Sequence, residues 1–282
     1  MVSLLYHVFS KLPIRVLYFF SDLINNSIIS FYRNKIVEKN LINSFPEYDS
    51  KKIKKIKKGF YKNFCDLVFE TIKSISIKES ELKKRVKFNN LHLINDHVNK
   101  DERVVVLTSH QCNWEWLLLA AELKLDTNLH VIYKKLKNRN FDKLMYESRS
   151  RFGSILMESS EVIMYLRNHL NKVKVLAVVA DQSPKIKSRK IWAQMLNQKT
   201  AFLESIEFIP KFTESYVYYA SMKKTSRGNY EVNFKKIAQP KNFKTHQILE
   251  KYIGCMESQI YENPSEWLWS HRRWKLTPEN SQ

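Results

Sequence analysis

Residues Arg103 to Trp116 read RVVVLTSHQCNWEW, and their pattern changes midway. Val104, Val105, Val106 and Leu107 form a short, continuous apolar run of the kind that fills a buried strand. Thr108 to Asn113 is a polar turn, and Trp114 to Leu123 is an apolar helix. His110 closes the strand and Glu115 follows five residues later. Five residues place two side chains about 140° apart on a helix, so the pair meets only if the chain bends between them. That bend puts His110 in the loop and Glu115 in the helix's first turn. Asn113 is the natural N-cap, and Glu115 lies at the positive end of the helix dipole. Two readings are open. An imidazole oriented by a carboxylate at a strand-to-helix turn is a general-base arrangement; alternatively, His110 ends a strand and Glu115 caps a helix.

The chain has 282 residues, 44% of them hydrophobic, enough for one large domain or two small ones. Its 48 Lys+Arg against 28 Asp+Glu leave a net charge of +20. Such an excess points to a polyanionic partner: nucleic acid, an anionic membrane surface or a phosphorylated substrate. Compositional drift in a Lys-, Asn- and Ile-rich proteome accounts for part of it. The four glycines, Gly59, Gly153, Gly228 and Gly254, make neither GxGxxG nor Walker sequence, which excludes nucleotide binding by those routes. The three scattered cysteines, Cys65, Cys112 and Cys255, form neither a disulfide framework nor a zinc site and fit a reducing compartment. Cys112 lies in the key turn, but nothing in the spacing forces its thiol onto His110.

The N-terminus is apolar, LLYHVF followed by LPIRVLYFFSDLINNSIISF. Only Val16 to Phe31 lacks a basic residue, shorter than the roughly 20 residues of a spanning helix. Val16, Phe20, Leu23, Ile24, Ile28 and Phe31 follow the spacing of an amphipathic helix. No small-residue cleavage site follows, so no signal peptide is expected. With Lys11, Arg15, Arg33 and Lys35 at its flanks, the helix fits the membrane interface; the alternative is a helix packed on the protein's own core. Pro46 divides two helical patterns. The second has an apolar stripe of Ile53, Ile56 and Phe60 amid Lys51, Lys52, Lys54, Lys55, Lys57, Lys58 and Lys62, then a core-facing stretch from Phe64 to Ile72. That lysine run is either a solvated face or a contact for anionic headgroups or an acidic carrier protein.

From about residue 100, strands and helices alternate. Strands are expected at Val104–Leu107, Leu129–Tyr133, Val173–Ala180, Tyr216–Lys223 and Tyr230–Ile237, and helices at Asn113–Leu123, Asn138–Phe152, near Glu161–Leu170, at Ala201–Phe212 and at about Thr245–Asn263. The alternation predicts an α/β fold with a mainly parallel central sheet flanked by helices. The division expected is an N-terminal membrane-associated helical region, residues 1–75, and an α/β catalytic domain, 76–282.

Sites in such sheets gather at the carboxyl ends of strands. Candidates there are His110 with Glu115, Arg149 and Arg151, and Asp181 in the turn Asp181-Gln182-Ser183-Pro184. The C-terminal Trp267, Trp269, His271, Arg272, Arg273 and Trp274 carry two readings. Either the aromatics are core and the arginines pair with acids, or Arg272 and Arg273 grip a phosphate or carboxylate in bidentate fashion.

SHQCNWEW resembles the HxxxxD/E motif of glycerolipid-type acyltransferases. More narrowly, the chain is similar nearly end to end to the lipid A biosynthesis acyltransferases, the late lauroyl/myristoyl family of Gram-negative bacteria. The likeness is carried by LPIRVLYFFSDL, FYRNKIVEKNLINSFPE, FYKNFCDLVFETIK, the HxxNWEW block, Tyr133 to Gly153 with its RxRxG ending, the ADQSP turn and PSEWLWSHRRWK. It implies an enzyme at the cytoplasmic face of the inner membrane that moves a fatty acyl chain from acyl carrier protein, or acyl-CoA, to a hydroxyl of a lipid A precursor, without a resident cofactor or metal. His110 would be the general base and Glu115 would hold its imidazole. Direct attack on the thioester agrees with the lack of a convincing Ser or Cys nucleophile. Arg149 or Arg151 would neutralise an oxyanion or an acceptor phosphate, with Asn113, Asp181, Arg272 and Arg273 as further substrate contacts. Two departures stand out: Cys112 where the family commonly has glycine, and WAQMLNQKT without that segment's usual glycine and arginine. Relatives of this kind also acylate other glycolipids and aminolipids. A basic nucleic-acid-binding protein is the competing class, but no helix-turn-helix, zinc or RNP-type motif is present. A metal enzyme lacks ligands at usable spacing.

Overall fold

The computed structural model describes residues 2–241, 243–244 and 246–279, with side chains for all of these except 2–5, 26, 29 and 30. Four helices come first: α1 (Val2–Lys11), α2 (Ile14–Phe31), α3 (Asn34–Ser44) and α4 (Ser50–Ser74). Pro13 stands immediately before α2, where its fixed φ and missing N–H suit a helix start. Pro46 falls between α3 and α4, and the lysine run and the Phe64–Ile72 stretch are one continuous 25-residue helix, capped by Asp49 accepting from Lys52 N.

Then come α5 (Glu79–Arg85), β1 (Val86–Phe88), α6 (His92–Asn99), β2 (Val104–Thr108), α7 (Trp114–Glu122), β3 (Leu129–Tyr133), α8 (Arg139–Ser150), β4 (Ile155–Glu158), α9 (Val162–His169) and β5 (Val175–Val179). The chain continues through β6 (Lys190–Met195), β7 (Gln198–Leu203), α10 (Ser205–Phe212), β8 (Tyr216–Ser226), β9 (Asn229–Ala238) and α11 (Gln247–Glu262). Seven strands form one sheet in the order β1-β9-β8-β2-β5-β3-β4, and in it only β8 and β9 pair antiparallel. The fold is α/β with a mostly parallel sheet flanked by helices.

β2 runs through the middle of this sheet, and all five of its residues are buried. Val105 and Leu107 join a core beneath α3, α4, α10 and α11; Val104 and Val106 join a second core beneath α2, α6 and α7. Successive strand residues point to opposite faces, so a strand covered on both sides must be apolar at every position.

Two differences from the expected elements have physical causes. The helix expected from Ala201 begins only at Ser205; Ala201 lies in β7, which pairs with β6 in a separate hairpin. The hairpin turns on Leu196 and Asn197, both at positive φ (47° and 61°), the backbone geometry of a tight two-residue connection. Thr245, expected to begin the last helix, lies outside the described residues.

The N-terminal helices are tied to the rest by charge. Asp66 on α4 is buried and meets Arg227 of the β8–β9 turn at 2.6 Å; Arg227 also reaches Asp22 of α2 at 2.8 Å. Gly228, at φ +71°, completes that turn, and a side chain there would collide with the Tyr18 hydroxyl. On the outer side of α1 and α2, Val8, Phe9, Val16, Phe19, Leu23, Ile24 and Phe31 are exposed, Phe31 at 86%. Val16, Leu23, Ile24 and Phe31 of the stripe read from the sequence are among them, whereas its Phe20 and Ile28 are partly buried and pack against the two cores, on the side where Leu17, Tyr18 and Ser21 are buried. Among the described residues no helix is long and apolar enough to cross a membrane.

Candidate active site

Strands β2 and β5 are neighbours in register, with Thr108 opposite Val179. Two residues beyond each lie His110 and Asp181, so the register itself brings them together. Asp181 Oδ1 is 2.5 Å from His110 Nδ1, and Oδ2 accepts from the His110 backbone N–H at 2.8 Å and from Trp267 Nε1 at 2.8 Å. A carboxylate only accepts, so Nδ1 carries the proton and Nε2 presents its lone pair. Gln182 Nε2 lies 3.1 Å from that atom and donates to it. Burial works to raise the Asp181 carboxyl, but the adjoining imidazole and the hydrogen bonds from His110 and Trp267 outweigh it and hold the group at about 2.

Glu115 sits in the first turn of α7, after the Asn113 cap whose Oδ1 accepts from Trp116 N at 2.8 Å. The chain bends between His110 and Glu115, but the carboxylate does not hold the imidazole. Among the described residues no hydrogen bond joins the two. Glu115 Oε2 accepts from Arg149 Nε at 2.8 Å, Oε1 from Arg149 Nη2 at 2.6 Å and from Trp114 Nε1 at 3.1 Å. The indole of Trp114 stands edge-on to the imidazole, ring centres 4.8 Å apart. Burial opposes ionisation of Glu115, yet the Arg149 guanidinium keeps its carboxyl below the usual range. Asp181, expected as a substrate contact, is buried and engaged by His110 and Trp267 instead.

The other expected contacts separate. Asn113 is fully buried, its oxygen capping α7 and its Nδ2 donating to Glu70 at 2.7 Å. Arg151 turns away and donates to the carbonyls of Ser74 and Ile77, both at 2.8 Å. Arg273 is only 1% exposed; it donates to Ala201 O at 2.7 Å and lies over the Phe202 ring. Arg272 is exposed and lines neither cavity described below.

Spacing alone missed what the C-terminal segment does. It folds back along the turn: Gln111 bridges Trp267, Leu268 N donates to His110 O at 3.0 Å, and Cys112 N donates to Glu266 O at 3.1 Å. Ser183 N donates to His271 Nε2 at 3.0 Å; burial depresses the His271 imidazole to about 4, which keeps it neutral as an acceptor. The one available signal was the density of tryptophan and arginine in WLWSHRRW.

Two cavities meet at this centre. The first, about 260 Å³, lies between the sheet face and helices α6 and α7, with His110, Glu115 and Arg149 at one end and Val106, Val131, Val175 and Ala177 along its length. The second, about 420 Å³, lies between α4, α8 and the C-terminal segment, among Tyr32, Phe64, Val68, Phe141, Leu268 and His271. Trp114, Glu115, Leu136, Arg149 and Gln182 line both. Two largely apolar chambers thus share a small polar junction.

Residues 1–276 match the family model of the bacterial lipid A biosynthesis acyltransferases. The chain belongs to that family. It is an acyltransferase by membership, and the family implies an acyl donor and a lipid acceptor. A search among curated proteins finds no match to this acyltransferase.

Proposed function

We propose that this acyltransferase moves a fatty acyl chain from a carrier thioester to a hydroxyl of a lipid A precursor, with His110 as general base. The observation that carries this reading is the meeting of two largely apolar cavities beside His110, which lines the first and whose Nε2 accepts from Gln182, a residue that lines both. The first cavity suits an acyl chain. Four residue steps along β5, Val175 to Val179, span about 13 Å, room for roughly ten methylenes at ~1.25 Å each, given C–C bonds of ~1.5 Å. The second cavity suits the acceptor.

In the reaction His110 Nε2 takes the acceptor hydroxyl's proton as the oxygen attacks the thioester carbonyl. The C–O bond forms, the C–S bond breaks, and the thiolate leaves with the proton from the imidazolium. Asp181 stabilises that imidazolium and fixes its tautomer. Arg149, anchored on Glu115, faces the oxyanion. A positioned base contributes on the order of 10²–10⁴ in rate.

An acidic carrier protein as donor is supported by two exposed basic loops at the carboxyl ends of adjacent strands β3 and β5: Lys134, Lys135 and Lys137, and Lys185, Lys187 and Arg189. The outward apolar face of α1 and α2 supports seating at the cytoplasmic face of the inner membrane. Residues 1–75 then serve the membrane and 76–282 the chemistry. The test supplies detergent-purified protein with radiolabelled acyl carrier protein thioester and an under-acylated lipid A precursor. Label should move to the lipid with wild-type protein and not with His110→Ala. Wild-type transfer by folded His110→Ala would overturn the mechanism; transfer only to another glycolipid or an aminolipid would reassign the acceptor.

A further inference from the structure

Glu70 lies on α4, is 0% exposed, and forms no ion pair among the described residues. Three donors reach its two oxygens. Oε1 accepts from the Tyr18 hydroxyl at 2.5 Å, and Oε2 accepts from the Tyr230 hydroxyl and from Asn113 Nδ2, both at 2.7 Å. Its backbone carbonyl accepts from Trp116 Nε1 at 3.0 Å. One residue thus joins α2, α4, β9 and the first turn of α7.

Two of those bonds land on α7 within two residues of Glu115, which Asn113 precedes and Trp116 follows. Asn113 has both ends of its amide committed, the oxygen to the cap and the nitrogen to Glu70, so cap and tie act together. Burial pushes the Glu70 carboxyl above its usual range, an unfavourable setting for an acid. Replacing a buried polar cluster by apolar side chains of like volume is often neutral or stabilising, so stability alone is a weak reason for a carboxylate here.

We propose that Glu70 is a positioning residue for acyl transfer: through Asn113 and Trp116 it holds the first turn of α7, and with it the Glu115–Arg149 pair, in place against His110. This rests on the acyl-transfer reading above. Glu70 touches no substrate, since it lines neither cavity. Its effect falls on geometry at the junction, where a misplacement of about 1 Å can lower a rate on the order of 10²-fold.

Three variants of the full chain test this in the transfer assay, at a temperature below each variant's melting point. Glu70→Leu removes the acceptors. Glu70→Gln keeps all three contacts with one reversed: its oxygen accepts from Tyr230 and Asn113 while its amide nitrogen donates to the Tyr18 hydroxyl. Asn113→Ser keeps a good N-cap but is too short to reach Glu70. Per folded molecule, kcat should fall on the order of 10²-fold in Glu70→Leu. It should fall measurably in Asn113→Ser and return close to wild type in Glu70→Gln. KM for the acyl donor should stay put, because the donor cavity is untouched. Hydrogen exchange should quicken at the Trp114–Leu117 amides in Asn113→Ser. Wild-type kcat in folded Glu70→Leu, or in Asn113→Ser should Glu70→Leu not fold, would overturn the assignment while leaving the acyl-transfer reading intact. No transfer by the wild-type protein would overturn that reading and this assignment with it.

Discussion

Arg149 grips Glu115 through two parallel hydrogen bonds, 2.8 Å from Nε and 2.6 Å from Nη2, so the glutamate of the HxxxxE segment faces a guanidinium instead of the imidazole. The pair is mostly buried and lines both cavities. Removing one partner strands the other's charge, which costs about 3–5 kcal/mol for a buried pair. Glu115→Gln and Arg149→Met should each lower stability by roughly that amount, and the double variant by less than the sum. Urea denaturation of the three proteins measures it. Additive losses would mean the two side chains act independently.

Asp181→Asn should cut kcat by two orders of magnitude or more, because an amide in place of the carboxylate no longer selects the Nδ1–H tautomer. The same residue gives stability a pH dependence. Its carboxyl sits at about 2 when folded, below its value in an unfolded chain. The stabilisation, about 2 kcal/mol, is therefore complete above pH ~4 and lost as pH falls through 2. Denaturation midpoints between pH 7 and 2 should show a drop below pH 4 in the wild type that is smaller in Asp181→Asn.

Ala177 lies midway along the first cavity, between Val175 and Val179 on β5. Ala177→Leu should shorten that chamber. Donors with long chains should lose at least tenfold in kcat/KM while short-chain donors change little, since one methylene in a fitted pocket changes rates about 10- to 200-fold. Equal loss for all chain lengths would place the acyl chain elsewhere.

Cys112 holds a left-handed backbone, φ 54°, with Sγ 2.9 Å from Glu266 Oε2 and 3.0 Å from Met222 O. Burial and the neighbouring carboxylate push its thiol well up, so it is a poor thiolate. Cys112→Gly relieves a backbone penalty of about 1–2 kcal/mol and should keep transfer near the wild-type rate. Maleimide at neutral pH should leave activity intact; inactivation in step with labelling of Cys112 would contradict this.

The strand-bend-helix of residues 103–116 was legible because apolar periodicity and an Asn cap are local signals. That Asp181 orients His110 was not, because it depends on which residues of β2 and β5 stand opposite one another, and register is a property of two distant segments. The β6–β7 hairpin was missed for a related reason. Its turn is Leu196-Asn197, without the glycine that usually marks such a connection. Arg151 and Arg273 donate to backbone carbonyls, which the sequence could not show, because an arginine's donors satisfy carbonyls as readily as anions and only the fold brings particular carbonyls within reach.

The clamp of Arg227 on Asp22 and Asp66 also sets an order of events during synthesis. The two acids are made 205 and 161 residues before their cation. At about 5–20 residues per second, Asp66 waits roughly 10–30 s for Arg227. Throughout that interval α2 and α4 lack the hairpin that anchors them. Two acids far apart in the chain thus wait on one late cation, so the clamp between α2 and α4 closes only when the β8–β9 turn arrives.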